Sequence, residues 1–108
     1  MRDISVEQIA LRLRDEFGYA AREAEMLAQD LMALEGSVRD AFAYWWQTGE
    51  IQPLDVQGYS VERLEREYEM NVIAAFLTLE WLLEDPEIAL QAISEGYDQI
   101  DVGAGSNS

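Results

Sequence analysis

Cysteine, lysine and histidine are all missing from this 108-residue sequence, and it has only two prolines. Without cysteine there is no disulfide framework, thiolate metal site or thiol nucleophile, and the composition suits a cytoplasmic protein. Without histidine the usual general base and the commonest transition-metal ligand are gone. A Ser-His-Asp arrangement is impossible, as are the Glu-x-x-His pairs of di-iron bundles. Without lysine there is no Schiff-base amine. Long apolar runs are missing too: the longest, residues 72–83, is interrupted by Thr78 and Glu80. It falls short of the roughly 18 residues that a membrane span needs. The first twenty residues lack a basic stretch followed by an apolar one, so no secretory signal is expected.

Two further motifs fail on inspection. Gly103-Ala-Gly105 has no helix after it and is not a phosphate loop. Asp55-Val-Gln-Gly58 lacks the alternating oxygens of a calcium-binding hand.

Positive charge is scarce. Twenty-two Asp and Glu stand against seven arginines, for a formal net charge of −15. From Glu67 to the last residue there are nine acids and no base. Such a field repels nucleic acid and anionic lipid and attracts basic partners. It also simply keeps a small domain in solution. Phosphate contacts need clustered cations, which dispersed arginines do not supply. Direct nucleic-acid binding and membrane binding are therefore not expected.

What is present is helical periodicity. An apolar fraction of 49% is ordinary for a folded protein, and 108 residues suffice for one hydrophobic core. Ser5-Val-Glu-Gln8 fits a capping box. Val6, Ile9, Ala10, Leu13 and Phe17 then share a face, and Gly18 is a natural stop. A second helix is expected over residues 20–35, with Ala20, Ala24, Leu27, Leu31 and Leu34 inward and Gly36 ending it. Met26 and Met32 lie off that stripe, as Leu11 lies off the first.

A third helix is expected over residues 38–48, with Ser37 as cap and Gly49 as stop. Neighbouring residues on a helix point about 100° apart, so Trp45 and Trp46 cannot share one direction. Trp45 falls in the arc of Val38, Ala41 and Phe42 and reads as core. Trp46 sits at the arc's edge, and Tyr44 points away.

Residues 50–59, punctuated by Pro53 and Gly58, read as an ordered loop. Leu54-Asp-Val56 is a short extended piece within it, and Trp46 is placed to pack against it. Ser60 caps a fourth helix over residues 61–69, with Val61, Leu64 and Tyr68 inward. Glu62–Arg66 and Arg63–Glu67 are i,i+4 pairs on that helix.

Asn71 caps a fifth helix over residues 72–84, apolar nearly all round and so central. Phe76, Leu79 and Leu83 lie on one side, and Leu77 and Trp81 on the other. Glu80 and Glu84 share a narrow strip that should be solvated or face something positive. Asp85-Pro86 opens a sixth helix, with Asp85 as N-cap and Pro86 at the first helical position, Leu90 and Ile93 inward and Gly96 as stop.

The expected architecture is all-α: a compact bundle of five to six short helices around the central helix 72–84. Residues 1–96 form one domain and residues 97–108 a flexible acidic tail. Tyr44-Trp-Trp-Gln-Thr-Gly49, Val56-Gln-Gly-Tyr59, and Ala74-Ala-Phe-Leu-Thr-Leu-Glu-Trp-Leu82 with Asp85-Pro86 carry a resemblance. Over residues 40–95 the chain is similar to small acidic all-helical proteins of bacteria and their mobile elements. The resemblance implies no activity and no site.

Carboxylates are the remaining chemistry. Glu80 with Glu84, or Glu84, Asp85 and Glu87 together, are the groups that would hold a hard cation or act as a glycosidase pair. A capped helix junction with solvated neighbours accounts for them equally well and is preferred. No catalytic residue, metal or cofactor is expected.

The function expected is binding of a protein partner through a helical surface. The contact is apolar or aromatic, supplied by the off-face residues Tyr44, Trp46, Leu11, Met26 and Met32, with Tyr44 and Trp46 as the aromatic candidates, or the chain self-associates as a homo-oligomer. The alternative is a nucleic-acid mimic, inhibiting a basic nucleic-acid-handling protein as an anti-defence factor or antitoxin. Glu67, Glu69, Glu80, Glu84, Asp85 and Glu87 would form its acidic face. Salt separates the two readings, since only an electrostatic contact weakens steeply with ionic strength.

Overall fold

A computed structural model of the chain describes residues 4–95. The expected stop at Gly96 and the expected tail at 97–108 lie outside the described residues. Six helices carry the fold, with no strand among the described residues: α1 (Val6–Phe17), α2 (Ala21–Met32), α3 (Gly36–Thr48), α4 (Val61–Tyr68), α5 (Val72–Glu84) and α6 (Pro86–Ser94). The protein is all-α, and no helix among the described residues is long and apolar enough to cross a membrane. Two compact units divide the chain between Glu50 and Ile51.

The first unit holds α1 to α3. Ser5 and Gln8 cap each other's backbone reciprocally, so α1 starts where two orphan amides are satisfied at once. Gly18 closes α1 at φ +77°, a conformation that costs a glycine little. The helix then turns back through Tyr19 and Ala20 to pack against α2. Ile9, Leu13, Ala24 and Leu31 are buried, as the periodicity requires. Ala28 is buried as well, whereas Ala20, expected inward, is exposed because it is the cap residue before α2 rather than part of its stripe.

The boundary near Gly36 differs from expectation. α2 ends at Met32, and Leu34 is buried from the short connection rather than from a helical stripe. Gly36 does not stop α2; at φ +60° it is the first residue of α3. Glu35 takes the extended cap position with no side-chain cap bond, so Ser37 is not the cap. Burying Leu34 sets this path, a tertiary demand that outranks the local signal for a glycine stop.

The second unit begins with a tight turn. Val56 and Tyr59 exchange both backbone hydrogen bonds, at 2.8 and 2.9 Å. Gln57 and Gly58 between them have φ +54° and +86°, the sign a type I′ turn needs at both central residues. The Asp55 carboxylate accepts from the Gly58 amide and braces it. Arg63 holds the turn to α4. Its guanidinium donates to the Gly58 carbonyl at 2.7 Å and to Glu67 at 3.0 Å, and lies 4.5 Å from the Tyr59 ring centroid.

Ser60 and Asn71 cap α4 and α5 through their side-chain oxygens. α5 packs against α4 and α6 and buries Val72, Ile73, Ala75, Phe76, Thr78, Leu79, Glu80 and Leu82. Leu83, expected inward, is 48% exposed. It is the helix's penultimate residue, where the chain turns into α6 and no element among the described residues covers it fully. Asp85 occupies the cap position of α6 but makes no side-chain cap bond. Its backbone serves both helices instead: its amide donates to the Trp81 carbonyl and its carbonyl accepts from Ala89.

Candidate functional site

The aromatic candidates come first. Trp46 is half-buried, and its ring is already engaged inside the first unit. The Arg12 guanidinium lies 4.8 Å from the Trp45 ring centroid and 4.6 Å from that of Trp46. Arg12 also donates to the Trp46 carbonyl at 3.3 Å and to Glu16 at 3.1 Å. Phe42 lies about 6 Å from both tryptophan rings, and Phe17 stands 6.3 Å from Trp45. The paired tryptophans thus form one wall of a cation–π cluster. Tyr44 is 38% exposed. It sits two residues from Trp46, about 200° round the helix, so the two do not share a surface.

The acidic candidates divide three ways. Glu67 is paired, with Arg63 at 3.0 Å and Arg66 at 3.7 Å. The bond to Glu67 also holds the Arg63 pKa above its ordinary value. Of the two expected i,i+4 pairs only Arg63–Glu67 forms, and Arg66 turns to Glu67 rather than Glu62. Glu80 is buried and takes part in an interaction, so the expectation of a solvated Glu80–Glu84 strip is corrected. Packing on α5 decides this: almost every position of that helix up to Leu82 is covered, including the one Glu80 occupies.

Glu69, Glu84, Asp85 and Glu87 are exposed. Glu69 closes α4 in the left-handed region at φ +57°. The other three lie at the α5–α6 elbow, the six-residue stretch 83–88. Leu83 at 48% exposure and Ile88 at 60% flank them. None of the three acids has an ion-pair partner among the described residues. The elbow therefore offers two large apolar side chains and three uncompensated carboxylates along one short turn of chain.

Sequence reasoning missed both apolar members. Leu83 fits the inward stripe of α5 on a helical wheel, which carries no information about where a helix end loses its cover. Ile88 had a usable signal. α6 is only nine residues long and buries Ala89 and Ile93, four apart. Ile88, one residue before Ala89, therefore projects about 100° away.

Among the described residues no group of three or more acids is placed to hold a metal ion. Comparison with known proteins finds no family model, no curated protein and no solved structure that matches the chain.

Proposed function

We propose that this protein is a non-enzymatic binding module, cytoplasmic by its cysteine-free composition, and that it engages another protein through the α5–α6 elbow. The observation that carries the reading is the exposure of Leu83 and Ile88 on either side of Glu84, Asp85 and Glu87. Single exposed apolar residues are ordinary on protein surfaces. Two within six residues of sequence, with acids between them that have no ion pair among the described residues, are the side chains that an apolar contact with a charged rim would use. The partner that suits it carries apolar side chains beside cations. A second copy of the elbow does not, because like carboxylates would meet.

The nucleic-acid mimic is the second reading. Glu69, Glu84, Asp85 and Glu87 favour it, being exposed and without an ion pair among the described residues. Glu67 and Glu80 leave its acidic face, the first neutralised by arginine and the second buried.

The test is a pull-down from the source cell's lysate, run at low and high salt. The baits are the native protein, the pair Leu83→Ser with Ile88→Ser, and the pair Glu84→Lys with Glu87→Lys. The elbow reading expects a protein retained by the native bait, lost with the serine pair and only moderately salt-sensitive. Retention lost only with the lysine pair, and steeply with salt, would establish the mimic instead. Equal retention by all three baits would sink both.

A further inference from the structure

The first unit carries a different surface, independent of the elbow. Along the α1–α2 pair runs an open groove of about 550 Å³, which α1 lines with Val6, Glu7, Ala10, Leu11 and Arg14 and α2 with small Ala21 and with Glu25. Leu11 is 55% exposed at its edge. Neither Glu7 nor Arg14 has an ion-pair partner among the described residues. We propose that this groove is occupied by the same groove of a second copy of this chain, the two α1 helices lying antiparallel about a twofold axis.

The register follows from the spacing. Glu7 and Arg14 are seven residues apart, which places them within about 20° of one another on the helix. They are separated by about 10 Å along its axis. The midpoint between them falls between Ala10 and Leu11. An antiparallel α1 centred there brings Glu7 opposite the second copy's Arg14, and Arg14 opposite its Glu7. Each Leu11, exposed at the groove's edge, then lies over the other copy's groove, where Ala10, nearly covered within its own unit, forms part of the small-residue lining. A twofold interface must be self-complementary in this sense, residue i meeting j while j meets i. The α5–α6 elbow, with acids and no base, fails that condition, whereas α1 meets it.

Two effects oppose each other in such a dimer. Each copy carries a net charge of −15, so the chains repel at long range. The repulsion is screened beyond about 8 Å at physiological salt, whereas the facing pairs act at contact. A contact of two helical turns is small beside a standard interface, so the dimer is weak and concentration-dependent.

Sedimentation velocity over a concentration series at physiological salt tests this. The chains compared are native, Glu7→Arg, Arg14→Glu and the double exchange, each checked for native helicity by circular dichroism. The native chain should shift towards dimer as concentration rises. Each single change, which sets like charges opposite at two symmetric places, should weaken association on the order of tenfold. The double exchange has the native net charge and should restore it. Mixing the two single variants should give a heterodimer. If long-range repulsion alone governed association, Glu7→Arg, which removes two units of negative charge, would strengthen it. That result would overturn the proposal, as would a native chain that stays monomeric up to about millimolar. Leu83→Ser with Ile88→Ser should self-associate like the native chain, which keeps this test separate from that of the elbow.

Discussion

The Arg12 guanidinium sits 4.6 Å from the ring centroid of Trp46 and donates a hydrogen bond to that residue's own carbonyl. One side chain of α1 therefore engages both the ring and the backbone of a single residue of α3, and it also lies 4.8 Å from the ring centroid of the adjacent Trp45. A planar guanidinium suits this position because it stacks on aromatic faces and still presents donors at its edge. The side chain is only 27% exposed, so the contact is partly shielded from water. Arg12→Ala should lower stability by about 2 kcal/mol. Arg12→Lys should recover only part of that. A double-mutant cycle between Arg12→Ala and Trp46→Leu, read by urea unfolding, should give a coupling of about 1 kcal/mol. A coupling near zero would mean that the stacked geometry contributes nothing.

Gln57 and Glu69 occupy the left-handed region at φ +54° and +57°, where a side chain with a Cβ is strained. The strain costs about 1–2 kcal/mol, and glycine's larger loss of chain entropy offsets about 0.5–1 of it. Gln57→Gly and Glu69→Gly should therefore each stabilise the protein by about 0.5–1 kcal/mol. The urea midpoint should rise with the slope unchanged. Gln57→Asn should gain less, because asparagine tolerates this region without the entropic cost of glycine. Destabilisation by Glu69→Gly would show that its carboxylate contributes more to the fold than its backbone strain costs.

How far the sequence could be read follows from the range of each interaction. Ser5, Gln8, Ser60 and Asn71 were legible as caps because a capping bond joins residues three apart and needs nothing else. Gly18 and Gly49 were legible as stops for the same reason. Leu34, Leu83 and Glu80 were not, because a helical wheel gives direction but not depth, and depth depends on which neighbour covers a position. Trp46 shows the limit for the candidate site. Its place at the edge of the α3 arc was readable, whereas Arg12, thirty-four residues earlier in the chain, was not identifiable as its partner.

Ala20 leaves a stabilisation untapped. It holds the N-cap position of α2 in extended geometry, φ −65° and ψ 153°, yet has no side chain to bond the first amides. The residue is exposed, so a larger side chain meets no packing conflict. Ala20→Ser or Ala20→Asp should raise stability by about 1 kcal/mol, and aspartate should gain further from the helix dipole at low salt. Asn71→Ala should lose a similar amount by removing the bond that the Ala74 amide donates to the Asn71 side-chain oxygen. Paired thermal melts of the four chains decide both. If Ala20→Asp leaves the midpoint unchanged, the new carboxylate does not reach the α2 amides.

Glu65 gives a prediction with a definite pH sign. Partial burial, and secondarily the neighbouring charge of Glu62, push its pKa above the usual 4.5. The folded state therefore holds this proton more tightly than the unfolded chain does. Stability from that preference is fully present below pH 4.5 and is lost as pH rises through the folded pKa. At pH 7 the ionised Glu65 is a small net cost to the fold. Glu65→Gln removes that cost without changing the shape of the side chain, so it should stabilise the protein at pH 7. The advantage should shrink as pH falls through the folded pKa and fade as pH drops past 4.5, where the carboxyl becomes neutral in the unfolded chain as well. Glu62→Gln is the weaker remedy, because Glu62 lies in the first turn of α4, where a negative charge favours the helix. Urea unfolding of native and Glu65→Gln chains between pH 4 and 7 reads the effect as the difference between the two chains at each pH. A constant difference across that range would show that the substitution acts through packing and not through the proton.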